Sequence, residues 1–177
     1  MPKSIMRPEE IPSPEKATTR KVSVDDWELF RNIRLTSLQT DPQAFGGNFA
    51  QMSEENEESW RKRLSNPDLI YFAAEEKSAF VAIVGAKKES DKIWHIISVY
   101  TSPEARGHGL AKKLILQTID EITKAGVNTI QLMVNADQEN ALALYTKLGF
   151  RIIQRMKDQK MGDRMTHNQY LMEKIIG

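Results

Sequence analysis

Residues 99–114 place a strand, a glycine-containing turn and a helix in immediate succession. Apolar residues typical of a strand precede Pro103, and the turn continues as Arg-Gly-His-Gly-Leu-Ala at 106–111 before the helix begins. Because side chains are small or absent where this helix starts, its first main-chain N–H groups are open to an anion, which the helix dipole also favours. Arg106 adds a cation. The segment therefore predicts a binding site for the phosphates of a nucleotide cofactor.

The composition of the chain excludes several classes of function. Its 177 residues fit a single domain, and 25 Lys and Arg balance 24 Asp and Glu to a net charge of +1. Such a balance argues against a protein that binds nucleic acid or a membrane surface by bulk charge. The absence of cysteine excludes disulfides and cysteine-ligated metals, and the three histidines lack metal-ligand spacing. We therefore predict no metal site.

The two parts of the chain differ in composition. Residues 1–16 carry four prolines among charged residues, which predicts a flexible N-terminal arm ahead of a domain at 17–177. The sequence shows neither an apolar leader nor a run long enough to span a bilayer. We expect a cytoplasmic protein that does not bind membranes.

Hydrophobic periodicity predicts the order β-α-α-β-β-β-α-β-α-β-β. Strands are predicted at 18–24, 70–75, 79–87, 93–100, 129–134, 150–156 and 167–175. Helices are predicted from Asp25 or Asp26 to about Leu38, at 53–64, from Gly109 to Gly126 and at 141–148. This order indicates an α/β (α+β) fold, in which helices cover both faces of a mixed, mostly antiparallel central sheet.

Two motifs in this order resemble those of the GNAT superfamily of acyl-CoA-dependent N-acyltransferases. Arg106, Gly109 and Ala111 match the Arg/Gln-x-x-Gly-x-Gly/Ala signature, and residues 140–150 resemble a second segment of the family, from Asn140 to Gly149-Phe150. A dinucleotide-binding fold would place the glycines after its first strand, whereas here they follow an antiparallel meander. The resemblance covers about residues 17–176. A further likeness at 34–35 and 41–46 indicates a GNAT subgroup whose substrate is poorly defined.

The resemblance implies where acetyl-CoA binds. The cosubstrate would lie between the strand at 94–101 and the strand at 129–134, with its pantetheine arm paired to main-chain groups around Val99 and Thr101. Main-chain N–H groups would hold the pyrophosphate, from Arg106, Gly107, His108, Gly109, Leu110 and Ala111. Asn140 is either a hydrogen-bond partner of the pantetheine arm or a polar residue at a helix start.

Attack of an amine on a thioester needs a neutral amine, a stabilised oxyanion and a proton for the leaving thiolate. The resemblance implies that Tyr145 donates this proton, although its helical spacing alone would also fit a core residue. A main-chain N–H near Ser98 or Val99 is the candidate for the oxyanion site. His95 and Ser98 are the candidates for removing the amine proton, directly or through water, and an ordered water chain without a single basic residue is an alternative.

The predicted function is transfer of the acetyl group of acetyl-CoA to a primary amine in a ternary complex. The acceptor is an amine of a small molecule, a peptide or a protein, and a homodimer is possible. A non-catalytic acyl-CoA sensor and a nucleotide-binding regulator are the alternatives. The acceptor would be selected by the early helices, their loop and the final hairpin, and Phe45 and Trp60 are interpreted either as cleft residues or as core.

Overall fold

The computed structural model describes residues 17–177, so the arm predicted at 1–16 lies outside the described residues. This range contains seven strands and five α-helices. The strands are β1 (Thr18–Lys21), β2 (Leu69–Glu76), β3 (Ala79–Lys88), β4 (Ile93–Thr101), β5 (Thr129–Asn135), β6 (Arg151–Lys160) and β7 (Thr166–Ile175). The helices are α1 (Trp27–Thr40), α2 (Phe49–Ser53), α3 (Glu57–Ser65), α4 (Leu110–Lys124) and α5 (Glu139–Lys147).

The strands form one sheet in the order β1-β2-β3-β4-β5-β7-β6. All neighbours are antiparallel except β4 and β5, which are joined by the crossover helix α4 and run parallel. The mixed, mostly antiparallel sheet confirms the predicted fold class.

Two apolar cores lie on opposite faces of this sheet. Because side chains alternate along a strand, Val84 of β3 packs with Leu114 of α4, whereas its neighbour Ile83 packs with Phe30 of α1. Trp60 of α3 is fully buried in the second core, edge-on to Phe30. Trp60 is therefore a core residue and not part of a cleft.

The helix predicted at 53–64 is wrong in its extent. The chain forms α2 and α3 instead, and each begins at an asparagine whose side chain satisfies a free main-chain donor. Asn48 accepts from the Gln51 N–H at 3.1 Å, and Asn56 accepts from the Ser59 N–H at 3.0 Å. The acidic pair Glu57 and Glu58 then occupies the first turn of α3, where the helix dipole favours negative charge.

The parallel pairing of β4 and β5 is short. It runs from Ile93 opposite Thr129 to Ile96 opposite Leu132, although β4 continues to Thr101 and β5 to Asn135. The ends of the two strands therefore separate at the centre of the sheet, and the candidate site lies there.

Candidate active site

A cavity of about 690 Å³ lies beyond the point where β4 and β5 stop pairing. Its walls are the end of β4, the start of α4, the start of α5 and the turn after α1. The residues that line it include Asp41, Gln43, Ala44, Phe45, Val99, Tyr100, Thr101, Ala105, Arg106, Gly107, Gly109, Leu110, Ala111, Lys112, Asp137, Gln138, Glu139, Asn140, Ala141, Leu144 and Tyr145.

The start of α4 presents a row of main-chain donors to this cavity. Gly107 and Gly109 have left-handed φ angles of 83° and 75°, which glycine adopts without steric cost. Within the described chain, the N–H groups of residues 107–112 have no hydrogen-bond partner, and the helical bonds begin with the Lys113 N–H donating to the Gly109 carbonyl at 3.0 Å. A helix start of this kind attracts a phosphate.

Arg106 lines the same cavity, but its donors are partly used. The Arg106 main-chain N–H donates to the Pro103 carbonyl at 3.3 Å, so the free N–H groups begin at Gly107. The guanidinium donates through Nε to the Thr101 carbonyl at 3.0 Å and through Nη2 to Asp41 Oδ2 at 2.8 Å. The positive charge near the phosphate site is therefore accompanied by a carboxylate.

Tyr145 adds a buried phenol to the lining of the first cavity. Its ring packs edge-on against Phe150, with ring centroids 6.1 Å apart, and in the part of the chain described its hydroxyl makes no hydrogen bond. Burial raises the pKa of Tyr145 well above its ordinary value of 10. The phenol therefore keeps its proton and remains a hydrogen-bond donor at physiological pH.

A bulge in β4 marks the centre of the site. Ile97 pairs with Gly85 and Tyr100 with Ile83, so Ser98 and Val99 have no partner in β3, and the pairing with β5 has already ended. Ser98 has a left-handed φ of 57°, which is uncommon for a residue other than glycine. Such outliers are often found at functional sites.

A second cavity, of about 380 Å³, lies next to the bulge. Ser98 lines this second cavity, whereas the adjacent Val99 lines the first. Ala44 and Phe45 line both, so they form a wall shared by the two cavities. The other residues around the second cavity are Arg34, Gly46, Gly47, Lys87, Lys88, Glu89, His95, Ile96, Ile97, Met133, Met161 and Gln169.

His95 and Glu89 are close neighbours in the lining of the second cavity. His95 Nε2 lies 2.8 Å from Glu89 Oε2, but the angles are outside those of a hydrogen bond, and within residues 17–177 Nε2 is buried without a hydrogen-bond partner. Glu89 is exposed. The second cavity therefore places an imidazole beside a carboxylate.

Comparison with known proteins places this arrangement in a family. The Acetyltransferase (GNAT) family matches residues 29–150, which is more than half of the chain. The chain belongs to the GNAT family. The matched range contains both motifs predicted from the sequence and most of the lining of the first cavity.

Relatives and solved structures agree with this membership. The chain is 29% identical over 146 residues to the uncharacterized N-acetyltransferase YjgM of Escherichia coli K12, covering 80% of this chain and 86% of that one. It is 43% identical over 58 residues to the mycothiol acetyltransferase of Paenarthrobacter aurescens, covering 33% of this chain and 18% of that protein. The chain thus spans about a fifth of the length of the mycothiol acetyltransferases that it matches first.

The fold is shared with solved GNAT structures. The structure of yncA, a putative acetyltransferase from Salmonella typhimurium with its cofactor acetyl-CoA, superposes with a TM-score of 0.74 at 18% identity, covering 92% of this chain and 95% of that one. At this identity the likeness establishes the fold.

The structure brings together most of the predicted GNAT site residues. Val99, Thr101, Arg106, Gly107, Gly109, Leu110, Ala111, Asn140 and Tyr145 all line the first cavity. His108 is exposed and is not among the lining residues. His95 and Ser98 line the second cavity, on the other side of the bulge from Val99. The predicted catalytic residues are therefore divided between two cavities that meet at residues 98–99.

Sequence reasoning missed how this GNAT site is held in shape. Asn135, at the end of β5, is buried and donates to the Gln43 carbonyl at 2.6 Å, while its Oδ1 accepts from Gln169 at 2.9 Å. The Gly162 N–H, in the loop between β6 and β7, donates to the Phe45 carbonyl at 2.7 Å. These bonds fix the turn that carries the wall between the cavities.

The part of the chain that the structure describes has neither a cluster of metal ligands nor a membrane-spanning helix. Among residues 17–177, no group of three or more His, Asp or Glu side chains is placed to hold a metal ion. No helix in this range is both long and apolar enough to cross a membrane.

Proposed function

We propose that this protein transfers the acetyl group of acetyl-CoA to a primary amine, with both substrates bound together. The observation that carries the proposal is the pair of cavities that meet at the β4 bulge, one with an anion-binding helix start and the other with a histidine and a carboxylate. Membership of the GNAT family supports it. The acceptor is the amine of a small molecule, a peptide or a protein.

The first cavity fits acetyl-CoA in its donors and its size. The free N–H groups of residues 107–112 would hold the pyrophosphate at the start of α4. The unpaired main chain at Val99 would accept the pantetheine arm as an added strand partner, with Thr101 and Asn140 beside it. The solved yncA structure, which has the same fold, was determined with acetyl-CoA.

The residues at the junction supply the needs of acyl transfer. In the reaction the amine nitrogen bonds to the acetyl carbon, the carbon–sulfur bond breaks, and one proton leaves the nitrogen while the thiolate gains one. A main-chain N–H at the bulge, near Ser98 or Val99, would stabilise the oxyanion. Tyr145 would donate a hydrogen bond to the sulfur as negative charge develops there.

The pKa of Tyr145 limits how this residue acts. A thiol has an ordinary pKa of about 8.5, below that of a phenol, and burial raises the pKa of Tyr145 further. Full transfer of its proton to the thiolate is therefore uphill. Tyr145 stabilises the leaving thiolate mainly as a hydrogen-bond donor, and the proton released by the amine can restore the thiol.

His95 is the best-placed group for removing the amine proton. It lines the second cavity, and Glu89 next to Nε2 would stabilise the protonated ring. Ser98 is the second candidate and would act through water, because a serine hydroxyl is itself a weak base.

A thiol-release assay over a panel of primary amines tests the proposal. We expect acetyl-CoA to bind and at least one amine to release CoA in amounts equal to the acetylated product. Tight binding of acetyl-CoA without turnover on any amine would contradict the proposal and favour an acyl-CoA sensor. Stronger binding of NAD or ATP than of CoA, measured by competition, would favour a nucleotide-binding regulator.

A further inference from the structure

Arg34 of α1 is a buried cation that faces the second cavity. It is 8% exposed, and its guanidinium carbon lies 5.5 Å from the centre of the Phe45 ring in the wall between the cavities. Within residues 17–177 its guanidinium makes one long hydrogen bond, 3.4 Å from Nη1 to Ser37 Oγ. No carboxylate in this range lies within ion-pair distance of it.

A buried arginine without an anion is energetically unfavourable. Removing a charge from water is unfavourable unless a partner compensates it, and the five N–H donors of arginine match the geometry of a carboxylate. Burial lowers the pKa of Arg34, the nearby Tyr71 phenol raises it, and the charge of Arg63 lowers it. Arg63 has its own carboxylate, Glu55, at 3.0 Å, so the two arginines do not share one. The partner that Arg34 lacks in the protein is therefore to be sought in the ligand.

The remaining charged side chains of the cavity lie on β3, on β4 and in the turn between them. Lys87 and Lys88 add positive charge to the lining, and Lys88 is paired with Asp91 at 2.7 Å. Glu89 and His95 are suited to hold a cationic amine and to take its proton. The volume of about 380 Å³ suits a small molecule, and the charges of the lining suit one that bears both a negative group and an amine.

We propose that the acceptor is a small amine that carries a carboxylate, as amino acids do, and that Arg34 binds this carboxylate while the amine lies towards His95 and the bulge. This inference rests on the proposed acetyl transfer and specifies its substrate class. Polyamines and other purely cationic amines are poor acceptors, because Arg34 would repel them.

The experiment compares each amino acid with its carboxamide as an acceptor for acetyl-CoA. The panel contains the standard L-amino acids, β-alanine and γ-aminobutyrate, with spermidine as a purely cationic amine. For at least one pair we expect kcat/KM to be tenfold or more higher for the carboxylate. The amide of an α-amino acid has the less basic amine, so basicity alone would favour the amide.

Arg34→Met tests the assigned residue. It should raise KM for the carboxylate acceptor at least tenfold and leave that for its amide unchanged, while Arg34→Lys should recover part of the loss. Arg31→Met is the matched control on the same helix, since Arg31 contacts the Ser53 carbonyl and lies outside both cavities. Thermal denaturation of the variants separates binding from folding, because a binding role predicts that the melting temperature of Arg34→Met is no lower than that of the parent. If Arg34→Met melts lower, the acceptor kinetics are judged on Arg34→Lys instead.

A direct binding measurement distinguishes failure of this inference from failure of the proposed function. Calorimetry with the CoA complex should show binding of the carboxylate amine that Arg34→Met abolishes, even if no acetylation occurs. Equal acetylation of acids and amides would overturn the inference and leave acetyl transfer intact. Arg34-dependent binding without acetylation of any amine would support the assignment of Arg34 to a carboxylate and overturn acetyl transfer to it. If the carboxylate amine does not bind and the carboxylate is not preferred to the amide, the inference is overturned.

Discussion

Arg106 Nη2 lies 2.8 Å from Asp41 Oδ2, and this ion pair joins the turn before α4 to the turn after α1. Both residues line the first cavity. The motif arginine, expected from the sequence to be a cation for the pyrophosphate, is thus balanced by a carboxylate. The two charges should influence the binding of an anion in opposite directions.

Substitutions at the pair test this expectation. Asp41→Asn should tighten the binding of acetyl-CoA by up to about fivefold, since removing one charge is worth on the order of 1 kcal/mol at a solvated site. Arg106→Gln should weaken it by a similar factor. Both changes should shrink at high salt, which screens charges at a partly exposed site. The measurement is equilibrium titration with acetyl-CoA at low and high salt.

If Asp41→Asn weakens binding as much as Arg106→Gln does, then Asp41 acts by orienting the guanidinium. The net charge of the pair would then not determine the affinity for acetyl-CoA.

Gly109 offers a cleaner test of the phosphate site. A Cβ added there meets no atom within 4 Å, and its φ of 75° is one that asparagine and aspartate tolerate better than other residues. Gly109→Asp and Gly109→Asn therefore differ mainly in charge. We expect the Asp variant to weaken acetyl-CoA binding on the order of a hundredfold, because a carboxylate would face two phosphates, and the Asn variant to weaken it much less.

Equilibrium titration with acetyl-CoA measures both affinities, and circular dichroism checks that both proteins fold. Equal losses in the two variants would assign the effect to backbone geometry. Unchanged affinity in both would mean that the pyrophosphate binds elsewhere.

Much of the first cavity was predictable because many of its residues lie in two short motifs. The motif with Gly109 precedes α4, and the motif with Tyr145 runs along α5 and past its end. The glycines before α4 and the buried side of α4 follow from local chemistry alone. A local signal of this kind survives in a single sequence.

The second cavity was less predictable because it depends on contacts between distant residues. Asn135 and Gln43 are 92 positions apart, and neither belongs to a periodic pattern that indicates the other. Arg34 stood in a recognisable short motif, but its unpaired burial depends on every element around it. The split between α2 and α3 was missed because the acidic run resembles one helix start, and Asn48 and Asn56 both act as caps.

Gly162 packs against the main chain of the wall between the cavities, so we expect that it does not tolerate a side chain. A Cβ there would lie 2.6 Å from the Gly47 carbonyl oxygen and 2.9 Å from that of Phe45, and both are main-chain atoms that cannot rotate away. Gly162→Ala should destabilise the protein by about 1–3 kcal/mol, as overpacking typically does. It should also raise KM for the amine more than the Kd of acetyl-CoA.

Gly46→Ala is the matched control for stability, because an added Cβ there meets no atom within 4 Å. Chemical denaturation gives the two free energies of unfolding, and only these are compared, since Gly46 itself lines the second cavity. Equal losses of stability in the two variants would show that the hairpin loop does not hold the wall.

Tyr145→Phe isolates the role of the phenol in the first cavity. The aromatic contact with Phe150, 6.1 Å between centroids, is kept, so folding and acetyl-CoA affinity should stay close to those of the parent. The value of kcat should fall on the order of a hundredfold, which is typical when one hydrogen-bond donor to a developing negative charge is lost. Tyr170→Phe is the control, since Tyr170 lies outside both cavities.

The pH profile separates this role from a structural one. The active form of Tyr145 is protonated, and burial raises its pKa above 10, so ionisation of the phenol should cause no fall in kcat up to pH 10. The rate should instead rise with pH as more of the amine acceptor becomes neutral. Tyr145→Phe should keep that rise at a lower level throughout. A fall in the parent's kcat well below pH 10 that disappears in the Phe variant would show that the phenol ionises in the active complex, in contradiction to its burial.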